Sequence, residues 1–67
     1  MASYEELDKL MTDASKLLEQ ACGQIRDLNL DPATNIRRIG TALTYVFEVT
    51  HDIYALRPDL TPDILKK

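Results

Sequence analysis

Two features of the sequence could carry chemistry, a closely spaced acid and histidine and a single cysteine. Glu48 and His51 are spaced as Glu-x-x-His, which on a helix is half of the ligand set of carboxylate di-iron proteins. Those ligands point into a helical bundle, whereas the apolar periodicity around Glu48 and His51 leaves both on the polar side of their helix. We therefore expect a solvated pair and no metal site.

Cys22 is the single cysteine, so no disulfide can form within one chain. A reactive thiol needs a positively charged setting, and Arg26, one helical turn later, is the cation nearest to it in the sequence. We therefore expect Cys22 to act as a small hydrophobic residue beside the seam of its helix. With no catalytic constellation, phosphate-binding loop or cofactor motif, the sequence predicts a protein that is not an enzyme.

The length and composition favour a small helical domain that gains stability by association. Sixty-seven residues make one domain, and a chain this short buries only about 60% of its unfolded surface. The net charge of −3 argues against nucleic acid or an anionic membrane as the main partner. No secretion signal or membrane-spanning run is apparent, and we expect a cytoplasmic protein, most simply a bacterial one.

The first predicted helix covers about residues 4–28. Ser3 and Glu6 have the spacing of a capping box, which marks a helix start. Apolar residues then alternate in steps of three and four, which is a heptad seam at positions a and d. Leu10 and Leu17 widen this stripe at position g. The seam consists of Tyr4, Leu7, Met11, Ala14, Leu18, Ala21, Ile25 and Leu28.

A short turn joins this helix to a second one, over about residues 32–56. Asn29 suits the left-handed position after a helix, Asp31 is expected to cap the next helix with its side chain, and Pro32 suits its first turn. A connection this short makes the helices antiparallel neighbours. The sequence therefore predicts a helical hairpin, and Thr61-Pro62 predicts a further short helix over about residues 62–66.

The second helix has an apolar surface too wide for one neighbour. Its seam is formed by a and d residues, namely Ile36, Ile39, Leu43, Val46, Thr50 and Ile53. Further apolar or small residues lie on both flanks, Gly40, Phe47 and Tyr54 at e and Ala42, Val49 and Leu56 at g. Residues 44–50 also have strand propensity, but the helical period continues through them. Because one helix covers a single line of contact, a second partner is expected on these flanks.

The polar strip of the second helix offers a second candidate contact. Tyr45 is a large aromatic residue outside the apolar face, and exposed aromatics beside charges are typical of interface anchors. The alternative is that its ring lies over the edge of the apolar face with its hydroxyl in water. Glu48 and Asp52 repel each other weakly at this spacing, which a basic partner would relieve. The candidate partner contacts are Tyr45, Glu48, His51 and Asp52.

The leading hypothesis is a protein–protein interaction module that dimerises into a four-helix bundle through either flank of the second helix. The partner would be a second copy or another helical protein. The architecture and the turn at Leu28-Asn29-Leu30-Asp31 resemble the Rop-like plasmid copy-number regulators, which implies binding to paired RNA loops. Against that, Lys9, Lys16 and Arg26 have no aromatic residue among them for base stacking. A small chaperone or adaptor subunit of a hetero-complex is the third alternative.

Overall fold

The computed structural model describes residues 1–62, which form an antiparallel helical hairpin. Helix α1 is Tyr4–Asp27 and helix α2 is Pro32–Leu56, and a 3-10 helix, Pro58–Leu60, follows. The predicted helices are thereby confirmed, α1 ending one residue earlier than expected. Ser3 has an extended backbone and its hydroxyl accepts the Glu6 backbone N–H at 3.1 Å, so the predicted cap of α1 is also confirmed.

The turn closes α1 with a left-handed residue. Asn29 has φ 53°, as its residue type predicts. The Asn29 N–H donates to the Arg26 carbonyl at 3.1 Å and the Leu30 N–H donates to the Ile25 carbonyl at 3.0 Å. These two bonds form a Schellman motif, which satisfies carbonyls that the helix end would leave unpaired.

The side-chain cap predicted for Asp31 is wrong. Asp31 precedes α2, but its backbone is left-handed, with φ 38° and ψ 63°, and its side chain accepts no capping hydrogen bond. A capping side chain normally acts from an extended backbone, which turns it towards the free N–H groups of the first turn. Here the Asp31 carbonyl accepts from Thr34 and Asn35, and the Asn35 side chain donates to the Leu30 carbonyl at 2.7 Å.

The core of the hairpin is a single line of contact between the helices. The six seam residues of α2 are all at least partly buried, and Ile53, at 3% exposure, is the one fully buried side chain in residues 1–62. Residues 44–50 are helical, which confirms the period over the local strand propensity. The seam was thus predicted correctly for α2 and for the middle of α1, whereas the predicted seam residues at the ends of α1, Tyr4, Leu7 and Leu28, are exposed.

α2 ends at Leu56 as predicted, and the segment after it differs from the sequence prediction. Arg57 leaves the helical conformation and Pro58 begins the 3-10 helix, which the sequence did not predict. Pro62 lies outside any helix, and the rest of the helix predicted at 62–66 lies outside the described residues. Within residues 1–62, neither helix combines the length and apolar character that crossing a membrane requires.

Candidate interaction surface

The hairpin has two long sides, and one hydrogen bond defines which residues share a side. The Tyr54 hydroxyl donates to Asp8 Oδ1 across the helices at 2.8 Å, and both residues are at heptad position e. In an antiparallel pair the e positions of the two helices therefore flank the seam on one side and the g positions flank it on the other. We call these the Tyr54 side (Asp8, Ser15, Cys22, Gly40, Phe47, Tyr54) and the Leu17 side (Leu10, Leu17, Ala42, Val49, Leu56).

The Tyr54 side is closed at one end by polar contacts. Burial, and then the hydrogen bond to Asp8, raise the pKa of Tyr54 because both disfavour the phenolate. Nearby, the Arg57 guanidinium forms ion pairs with Glu5 at 2.7 Å and with Asp59 at 2.8 Å. Together these groups tie the end of α2 to the start of α1.

The Glu5–Arg57 ion pair shifts the pKa of both side chains. A backbone hydrogen bond at the first turn of α1, and then Arg57, lower the pKa of Glu5. The hydrogen bonds from Arg57 to Asp59 and then to Glu5 raise the pKa of the guanidinium further. Because these groups are solvated, the pair positions the helix ends more than it stabilises them.

The two cross-helix contacts indicate how the helices run past each other. If Asp8 is taken as level with Tyr54 and Glu5 with Arg57, each step forward along α1 matches one step back along α2. In this register Leu10 lies level with a point between Val49 and Leu56. Leu17 lies level with a point between Ala42 and Val49.

The Leu17 side carries four large apolar side chains that are exposed. Its large side chains are Leu10, Leu17, Val49 and Leu56, which are 60%, 64%, 40% and 65% exposed. Ala42, beside them, is half-buried. An open groove at the start of α1 shares Leu10 with this side and is lined by Met1, Ala2, Ser3, Tyr4, Glu6, Leu7 and Leu10. By heptad position, the exposed leucines of α1 flank the seam on the same side as Val49 and Leu56.

The three e residues of α2 predicted for an interface have different surroundings. Tyr54 is half-buried against α1, whereas Phe47 remains 52% exposed. Gly40 is exposed, and a Cβ placed there would meet no atom within 4 Å, so its small size is not required for packing within the hairpin. The structure thus brings Tyr54 to a partner within the chain and leaves Phe47 facing solvent.

The predicted polar contacts all lie on the outer surface of α2. Tyr45 is 64% exposed, and Glu48, His51 and Asp52 are also exposed. Within the described residues no three His, Cys, Asp or Glu side chains come close enough to hold a metal ion. Cys22 is half-buried on the Tyr54 side.

The sequence analysis does not assign any residue of α1 to the candidate surface. It places Leu10 and Leu17 at the edge of the apolar stripe of α1, and the structure leaves both exposed on the same side as Val49 and Leu56. Their heptad letter, g, could have indicated this, because g positions of antiparallel helices share a side.

In the comparisons with known proteins, the chain matches no family model, no curated protein and no solved structure.

Proposed function

We propose that this chain is a small, non-enzymatic protein–protein interaction module that self-associates through its exposed apolar surface. The observation that carries the proposal is the exposure of large apolar side chains on both helices, beside a core in which, within residues 1–62, Ile53 is the one buried residue. Since apolar surface is driven out of water, such a hairpin gains stability when another apolar surface covers it.

The polar strip of α2 would then serve a further contact. In a bundle built on the apolar surface, Glu48 and His51 lie on the outer face of α2 and stay accessible, while Tyr45 and Asp52, at position c, lie at its rim. An aromatic ring among charged groups is a suitable anchor for a second protein. The module would in this way join two copies through one surface and present another.

The experiment is a measurement of mass in solution over a wide concentration range. Size-exclusion chromatography with light scattering, from micromolar to millimolar chain, is expected to give twice the mass of 7.6 kDa at the upper end. Circular dichroism on the same samples should show helix throughout. A well-folded monomer at every concentration would refute self-association.

A further inference from the structure

We propose that a second copy of this chain docks on the Leu17 side, with both helices in the contact and both turns at the same end of the bundle. This inference rests on the proposed self-association and specifies its surface and arrangement. It differs from a contact made by α2 alone because it assigns half of the surface to α1.

The first support is that the exposed apolar residues of the two helices interleave. In the register set by Tyr54 and Asp8, Leu10 falls between Leu56 and Val49 along the hairpin. Leu17 falls between Val49 and Ala42. The resulting ridge extends from Ala42 to Leu56, 14 helical steps or about 21 Å at 1.5 Å per step.

The second support is that the ridge is uneven along the hairpin. Its large apolar residues lie towards the end that holds the chain termini, while the g residues nearest the turn are Gln24 and Asn35. When both turns lie at the same end, α1 of each copy packs on α2 of the other in the register described above. Leu10 and Leu17 of one copy then lie against Val49 and Leu56 of the other, and Gln24 lies near Asn35.

The opposite arrangement fits the same residues less well. With the turns at opposite ends and the copies fully overlapped, α1 packs on α1 and α2 on α2. Leu10 then faces Gln24 of the second copy, and Leu56 faces Asn35. Burying the Gln24 amide against a leucine leaves its hydrogen-bonding groups unpaired, which is unfavourable. Asn35 keeps its hydrogen bonds to Leu30 and Arg38 in either arrangement.

The third support is the charge on the rim, at position c beside the ridge. Asp27 on α1 and Arg38 on α2 are exposed and about one helical turn apart in level, so the same-end arrangement brings Asp27 of each copy towards Arg38 of the other. Arg38 already donates to Asn35 Oδ1 at 3.0 Å, and two-fold symmetry makes the contact with Asp27 twice. Glu6 and Asp13, also at position c, would approach Asp52 of the second copy, and Lys9, paired with Asp13 at 3.1 Å, offsets part of that repulsion.

The surface is tested with charged substitutions on the two sides. Leu17→Glu and Val49→Glu should each raise the dimer dissociation constant by at least about 30-fold, the scale of an interface hot spot. The matched control is Phe47→Glu, an exposed apolar position on the Tyr54 side, which should leave the constant unchanged. Helix content is followed by circular dichroism, and all three positions tolerate a charge in the monomer because they are exposed.

The relative orientation of the two copies is tested by the distance between two spin labels, one on the turn of each copy. Leu30, in the turn, is 59% exposed, so Leu30→Cys in a Cys22→Ser background accepts a spin label. Turns at the same end give label separations within roughly 20 Å, the width of two helix layers. Turns at opposite ends give about 36 Å or more, the length of the 24-residue α1.

Each outcome separates this inference from the proposed function. A short distance with loss of dimer in Leu17→Glu supports both. Loss of dimer in Phe47→Glu alone, or unchanged association in Leu17→Glu, overturns the surface while self-association stands. A long distance overturns the arrangement. A monomeric wild type overturns this inference together with self-association.

Discussion

The two sides of this hairpin flank the same seam but have different chemistry on α1. On the Tyr54 side α1 carries Asp8, Ser15 and Cys22, which are partly buried, and Asp8 bonds to Tyr54 across the seam. On the Leu17 side it carries Leu10 and Leu17, which remain exposed. Asp8, on the polar edge of α1, thus has a hydrogen-bond partner within the chain, whereas the apolar edge, with Leu10 and Leu17, is left exposed to solvent.

The largest expected effect is on the seam that both sides share. Ile53→Ala removes the fully buried side chain and should lower the free energy of unfolding by about 2–5 kcal/mol, because lost burial adds to the cost of a cavity. Urea denaturation at high chain concentration measures it. Leu56→Ala, measured at dilute, monomeric concentration, should lower the free energy of unfolding much less, since Leu56 is 65% exposed. Equal losses for the two variants would contradict the difference in burial between Ile53 and Leu56.

The next effect isolates the Tyr54 side. Tyr54→Phe removes the hydroxyl and its hydrogen bond to Asp8, and should lower the free energy of unfolding by about 1 kcal/mol without changing association. A double-mutant cycle with Asp8→Asn, followed by urea denaturation, gives the coupling between the two side chains. Strictly additive losses would mean that the hydrogen bond contributes nothing in solution.

Alkaline pH should weaken the same contact. The folded protein raises the pKa of Tyr54, so the associated stability is present below the unfolded value, about 10, and is lost as pH rises through the folded pKa. The midpoint of thermal unfolding should therefore fall more steeply above pH 10 in the wild type than in Tyr54→Phe. Parallel curves for the two proteins would count against the contact.

The smallest effect concerns the charged end of the hairpin. The folded protein lowers the pKa of Glu5, so its contribution is present above the unfolded value, about 4.3, and is lost as pH falls through the folded pKa. Thermal unfolding between neutral pH and strong acid should show this loss in the wild type but not in Glu5→Gln. Glu48→Gln, on the polar strip, is the control and should follow the wild type.

Much of the fold followed from residues close together in the sequence. Ser3 capped α1, Asn29 took the left-handed position, and the steps from Ile36 to Ile53 gave the buried row of α2. These predictions succeed because caps, turns and helical periods depend on local geometry. Asp31 failed because its left-handed backbone, held by the surrounding turn, prevents the capping geometry that its residue type favours.

The candidate surface was predicted only in part. The sequence picked out both flanks of α2, Phe47 and Tyr54 on one and Val49 and Leu56 on the other, without a reason to prefer either. The structure distinguishes them, because Tyr54 reaches Asp8 while Leu10 and Leu17 extend the opposite flank. That distinction depends on which residues of α1 come alongside α2, and periodicity within one helix does not contain it.

The sequence by itself therefore determined the two helices, their seam and the presence of more apolar surface than a hairpin can cover. Local hydrogen bonding and a regular period are enough for these. Only the tertiary structure decided which apolar residues lie together, because that depends on the register of one helix against the other. Here the register is fixed by contacts 46 residues or more apart in the chain, Tyr54 with Asp8 and Arg57 with Glu5.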